Sequence, residues 1–187
     1  MARLLHKYLW WCLAVAAAVV STSLHAREAA ALDQVAVVIF DDMRIDDLRY
    51  MPKLSALVSE KGQSLDNAFI ACPLCCPSRS SLMTGLMPSS HGVKSNEDHL
   101  RVPTIFPGLK SRGVKTGLVG KYLNSYSGGP LPEFDFWASF SGGNVPNWLR
   151  PRLNVNGRRR RFKKYISDVL LREADRFANR YRDDPYV

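Results

Sequence analysis

The run Gln34 to Phe40 (QVAVVIF) is continuously apolar and largely β-branched, and it stops abruptly at two adjacent carboxylates, Asp41 and Asp42. A run without polar alternation predicts a strand covered on both faces, and such strands belong to sheets flanked by helices. The residues that follow repeat the theme. Pro52 at a first-turn position, Leu54, Leu57 and Val58 at helical spacing, and Gly62 as a stop predict a helix. Ser64 to Ile70 reads as a second strand, Pro77 to Met83 as the opening of a helix, and Thr104 to Arg112 as a helix closed by Gly113. Lys115 to Val119 reads as a short strand ending at Gly120-Lys121. Strands alternating with helices predict an α/β layered sheet, where functional groups collect in loops beyond the carboxyl ends of strands. Asp41-Asp42 and Lys121 stand at two such ends.

Ser125 to Pro151 is rich in Gly, Pro and aromatic residues and reads as irregular. Arg152 to Phe162 reads as a hairpin around Asn156-Gly157. Ser167 to Tyr181 reads as an amphipathic helix, with Val169, Leu170, Ala174, Phe177 and Tyr181 on one side. Pro185-Tyr186-Val187 resembles the start of another strand. Residues 1–26 read as a secretory signal: Arg3, His6 and Lys7 precede an apolar run from Leu9 to Val20, and Ser23-Leu24-His25-Ala26 offers a cleavage site. That run is short for a membrane span, which needs roughly 20 residues. Residues 27–187 then form one region, exported to the periplasm or the extracellular space, or to the lysosome in a eukaryote. Contact with a membrane is expected only through the signal.

The formal charge is +9, but much of the excess lies in Arg158-Arg159-Arg160-Arg161 and Lys163-Lys164, so it does not imply a nucleic-acid binder. That run reads as a solvated hairpin face, with attraction of a polyanionic sugar chain as the alternative. Cys72, Cys75 and Cys76 are too clustered for a disulfide framework, and no second knuckle or His pair completes a structural zinc site. His91 and His99 lack a metal-ligand partner at helical spacing and read as structural or exposed.

The chemistry resides in Cys75-Cys76-Pro77-Ser78-Arg79-Ser80-Ser81-Leu82-Met83-Thr84-Gly85. This stretch resembles the signature C-x-P-S-R of formylglycine-dependent sulfatases, followed by a helical turn ending in Leu-Thr-Gly. The resemblance implies an alkaline-phosphatase-like α/β fold, of which this chain is the N-terminal portion. It also implies that a formylglycine-generating enzyme oxidises Cys75, the only cysteine here with Pro at +2 and Arg at +4. The reason lies in leaving-group chemistry. A thiolate would be trapped as an S-sulfonate, whereas an aldehyde hydrate carries two hydroxyls: one attacks sulfur, and the other then expels sulfate as the aldehyde re-forms. Asp41 and Asp42 match the family's first metal pair, with hard oxygens suited to one calcium ion, and the modified Cys75 would join them. Arg79 would neutralise the hydroxyl or hold the helix, and Lys121 would contact a sulfate oxygen.

Gly120-Lys121-Tyr122-Leu123-Asn124 departs from most sulfatases, which carry His where Leu123 stands. With Asn154-Val155-Asn156-Gly157 it resembles the N-acetylglucosamine-6-sulfatase branch, implying sulfated amino sugars of glycosaminoglycans as substrate. The family's second metal pair and further sulfate ligands have no counterpart before Val187, so the chain is expected to be incomplete and inactive alone. Two other readings stand beside this one. The first is a formylglycine-dependent phosphodiester or phosphonate hydrolase. The second is a non-catalytic secreted remnant that binds anions.

Overall fold

Asn156 and Gly157 both adopt positive φ, 49° and 87°, the left-handed pair that a two-residue hairpin turn with the right strand twist demands. They join β3 (Arg152–Val155) to β4 (Arg158–Arg161) in the register Arg152↔Arg161, Leu153↔Arg160, Asn154↔Arg159 and Val155↔Arg158. The hairpin is therefore where the sequence put it. The computed structural model describes residues 34–187 except 66, 141, 143, 144 and 146. The expected signal, residues 1–26, lies outside the described residues.

The hairpin continues a four-stranded sheet of order β1-β2-β3-β4. β1 (Gly117–Gly120) runs parallel to β2 (Phe136–Ser139), and β2 runs antiparallel to β3. Beyond β1, Lys115 bridges in parallel to Tyr186, and Val35 N–H donates to the Tyr186 carbonyl at 2.9 Å. The final segment thus lies between the Gln34–Phe40 run and β1. A parallel pair needs a long return connection, and here that connection carries Lys121 to Asp135.

Among the described residues, five α-helices accompany the sheet: α1 (Pro52–Lys61), α2 (Cys75–Thr84), α3 (Pro88–His91), α4 (Phe106–Lys110) and α5 (Ile166–Arg180), with a 3-10 helix at Ile45–Tyr50. α5 buries Ile166, Val169, Glu173 and Phe177, spaced as one stripe of a helix. Glu173 departs from the apolar stripe expected there. It is 2% exposed and is neutralised by Arg176 one turn along, at 2.9 and 3.1 Å, as a buried carboxylate requires.

β2 is buried along its whole length and divides two apolar clusters. Phe136, Ala138, Leu153, Val155, Ile166, Val169 and Phe177 pack on the α5 side. Trp137 turns to the other side with Cys76, Val93, Tyr122, Leu123 and Phe134. Alternation along one strand therefore anchors helix α5 on one face and the Cys76 segment on the other. The mixed α/β layered fold is as the sequence predicts, with three differences. β2 lies within the stretch Ser125 to Pro151, whose strand is too short and too aromatic-Gly mixed to show a period. The described residues of 64–70 form no strand, and Phe69 is 92% exposed. Gln34 to Phe40 forms no strand and is exposed, with Val37 at 67% and Val38 at 73%. With a single backbone bond to Tyr186 and no covering layer among the described residues, hydrophobicity alone does not bury it.

Candidate active site

Successive side chains of an extended chain point to opposite faces, so two adjacent carboxylates converge only if the backbone turns between them. Asp42 has φ 57°, a left-handed conformation that Asp tolerates better than most residues because its short side chain can hydrogen-bond locally. The turn brings ligand atoms of Asp41, Asp42 and Cys75 within 4.8 Å of one another. Residues more than 30 positions apart in sequence thus share one corner.

Cys75 opens helix α2, whose N-cap is Leu74 and has no side chain able to cap. The cap comes from elsewhere: the Cys76 N–H donates to Asn96 Oδ1 at 3.0 Å. The Cys76 thiol is fully buried. It accepts the Asn124 N–H at 3.0 Å and donates to the Asn96 carbonyl at 3.5 Å. One turn on, Arg79 places one guanidinium nitrogen on Asp41 Oδ1 at 3.0 Å and another on the Lys121 carbonyl at 2.8 Å. The planar fork of arginine thereby ties the Asp pair to the end of β1.

Gly120, at φ 107°, lets the chain leave β1 sharply and delivers Lys121, whose ammonium meets Asp41 Oδ2 at 2.9 Å. The Lys121 side chain is 8% exposed and that of Arg79 11%, against 39% for Asp41. Burial alone would raise the Asp41 carboxyl. The hydrogen bonds and charges of Lys121 and Arg79 outweigh it and hold the group below the usual carboxylate range. Burial likewise opposes the Lys121 ammonium, but Asp41, with help from Cys75, raises its pKa above the ordinary lysine value.

The five residues singled out in the sequence, Asp41, Asp42, Cys75, Arg79 and Lys121, are brought to one place. Their donor set suits a hard divalent cation in part: two carboxylates offer oxygens, while Cys75 offers a softer sulfur. A cation entering here competes with Lys121 and Arg79 for the two Asp41 oxygens. Leu123 is 3% exposed within the apolar cluster, so it packs the loop and takes no part in the corner. His91 is buried, with Nδ1 accepting the Val93 N–H at 3.1 Å and Nε2 facing Ser81 Oγ at 3.0 Å. That makes Nε2 the protonated nitrogen and His91 a brace for α2. His99 is exposed. Sequence reasoning did not find Asn96 and Cys76 as supports, because neither carries a spacing signal and both act across long sequence separations.

The comparisons agree on one relationship. The family described as Sulfatase matches residues 34–187. The extracellular sulfatase SULF-1 homolog of Drosophila melanogaster is 30% identical over 152 residues, covering 73% of this chain and 13% of that protein. The N-acetylglucosamine-6-sulfatase of Homo sapiens is 31% identical over 145 residues, covering 64% of this chain and 26% of that protein. The solved structure of BT4656 in complex with its substrate D-glucosamine-2-N,6-O-disulfate superposes with a TM-score of 0.57 at 26% identity, over 65% of this chain and 25% of that one.

Proposed function

This chain belongs to the sulfatase family, and from that premise we propose that it supplies the nucleophile and one side of the metal site of a sulfuric ester hydrolase. The observation that carries the proposal is the convergence of Asp41, Asp42 and Cys75 within 4.8 Å, with Lys121 and Arg79 both bound to Asp41. Glycosaminoglycan amino sugars are the substrate class. The human relative's name, the sugar bound to BT4656 and the segment Gly120 to Asn124 support that choice.

In this reading Asp41 and Asp42 hold calcium, which when bound would offset the negative charge of the sulfate group. Cys75, once oxidised to formylglycine by the maturing enzyme and hydrated, would supply an oxygen nucleophile: one hydroxyl takes the sulfo group as the alcohol leaves, and the other loses its proton and expels sulfate as the aldehyde re-forms, where a thiolate would be trapped as an S-sulfonate. Lys121 and Arg79 do the rest of the electrostatic work from inside the protein. Both are largely shielded from water, so their charges act on an incoming sulfate with little screening. Cys75 also sits in the first turn of α2, at the helix end whose dipole favours an anion. The name of the Drosophila relative supports export, as does the N-terminal signal read from residues 1–26.

The test is co-expression with a formylglycine-generating enzyme, followed by tryptic mass spectrometry of the Cys75 peptide. The expected result is an aldehyde at Cys75 and thiols at Cys72 and Cys76. Retention of sulfur at Cys75 under those conditions overturns the assignment. Binding of sulfate, phosphate and phosphonate esters, measured side by side on the matured protein, separates the sulfatase reading from the phosphohydrolase one.

A further inference from the structure

The Arg-rich hairpin lies outside the Asp41 corner, and the structure sorts its cations by face. Leu153 and Val155 are buried, so Arg152 and Asn154 occupy the opposite face of β3. Their cross-strand partners Arg161 and Arg159 share that face. Arg152, Asn154, Arg159 and Arg161, with Arg160 at the edge, line an open recess of about 560 Å³ whose far wall is the side-chain-free Gly128-Gly129 segment. A second recess of about 390 Å³ continues it through Arg152 and Arg161 to Arg150 and Asn147. The wall is anchored, since the Tyr126 hydroxyl donates to the Gly129 carbonyl at 2.6 Å. The turn is locked by Asn154 Oδ1, which accepts the Gly157 N–H at 2.8 Å; the Asn154 amide nitrogen remains available as a donor beside the guanidinium groups.

None of these arginines joins an ion pair among the described residues, where the paired cations are Arg44, Arg79, Lys110, Lys121, Arg176 and Arg182. Placing like charges opposite and along one strand pair costs stability, so the face is electrostatically incomplete without an anion. We infer that this face of the β3–β4 hairpin is a second binding site, for a sulfated polysaccharide chain, separate from the site of hydrolysis.

Three features set the ligand class. Guanidinium forks match tetrahedral oxyanions in a bidentate manner. Arg159 and Arg161 are about 7 Å apart along the strand, with Arg152 across from Arg161, so the cations form a row suited to repeated anions and not to one small ion. The lining contains no aromatic ring, so it lacks the stacking platform on which nucleic-acid bases are held. The choice of a sulfated sugar rests on the proposed function; the anion-binding face itself does not.

The test uses the full chain and a size-defined heparin hexasaccharide, titrated calorimetrically over a range of salt. The triple variant Arg152→Ala, Arg159→Ala and Arg161→Ala should bind about tenfold more weakly or worse, with a shallower salt dependence, because fewer counterions are released. A charge-matched triple, Lys53→Ala, Lys61→Ala and Arg112→Ala, should stay within about twofold of wild type. Equal losses in the two triples overturn the proposal, as does a short duplex DNA that binds as tightly as the hexasaccharide. Arg159→Gln with Arg161→Gln keeps the aliphatic stems and gives the same comparison if the alanine triple unfolds. Cys75→Ser should leave this binding unchanged. Binding without an aldehyde at Cys75 sinks only the enzyme reading, whereas an aldehyde without hairpin-dependent binding sinks only this one.

Discussion

Asn124 donates its backbone N–H to the buried sulfur of Cys76 at 3.0 Å, joining the loop that carries Lys121 to the helix that carries Cys75. The same thiol donates to the Asn96 carbonyl, so one small side chain ties three segments that are far apart in sequence. Its neighbour Cys75 faces the carboxylates instead. Two adjacent cysteines thus have opposite surroundings, one part of the site and the other part of its scaffold.

Replacing Cys76 by Ala leaves the Asn124 N–H without its acceptor in a closely packed setting. A loss of about 1–3 kcal/mol is expected, from the unsatisfied group and the lost sulfur contacts. Urea denaturation of wild type and variant reads it as a lowered midpoint. An unchanged midpoint would show that the thiol is incidental.

Arg79→Lys should behave as a loss and not as a conservative change. A single ammonium cannot reach both Asp41 Oδ1 and the Lys121 carbonyl, which Arg79 holds through two nitrogens at 3.0 and 2.8 Å. One charge-assisted hydrogen bond disappears, for about 1–2 kcal/mol after allowance for the partial exposure of Asp41. Equilibrium unfolding measures it, and a difference below about 0.3 kcal/mol contradicts the bridging role.

Gly117 lies directly beneath the Phe177 ring of α5. A Cβ there would stand 2.8 Å from the Phe177 ring, and Phe177 is packed in the apolar cluster beside Phe136. Gly117→Ala should destabilise by about 1–3 kcal/mol, and Phe177→Leu should recover part of the loss in a double-mutant cycle. Additive effects of the two changes would rule out the steric account.

Asp135 accepts the Thr116 N–H at 3.1 Å and pairs with Lys110 at 3.1 Å. Burial alone would raise its carboxyl, but these partners outweigh it and hold the group below the ordinary aspartate range. A depressed folded-state pKa stabilises the protein above the unfolded value, and that contribution fades as pH falls through the folded one. The stability difference between wild type and Asp135→Asn should therefore be flat from neutral pH down to about pH 5 and shrink below about pH 4. Thermal melts across that range check it. A difference that grows with acidification would reverse the sign of the argument.

What the sequence carried unaided were the local features. The Asn156-Gly157 turn, the helix α5 and the helix around Cys75 each follow from short-range backbone or periodic preferences, and the structure has all of them, although the buried stripe of α5 takes in Glu173 and leaves the expected Ala174 exposed. So does the strand ending at Gly120. The strand β2 escaped because it is four residues long and buried on both faces, which leaves no alternation to read. The Gln34 to Phe40 run shows the reverse error, since apolar residues require burial only where another layer is present to cover them.

The residue types of the Asp41 corner were also fixed by sequence: two carboxylates after an apolar run, a cysteine at the head of a Pro-Ser-Arg helix, a lysine after a glycine. Their meeting was decided by tertiary structure. The left-handed turn at Asp42, the Arg79 fork and the Cys76 clasp act between segments 20 or more residues apart, from the 20-residue separation of Cys76 and Asn96 to the 42-residue separation of Arg79 and Lys121. Likewise, four consecutive arginines state a charge, but only the register of β4 on β3 divides them between faces. Side-chain direction across a sheet is set by pairing, and pairing is a property of the folded chain.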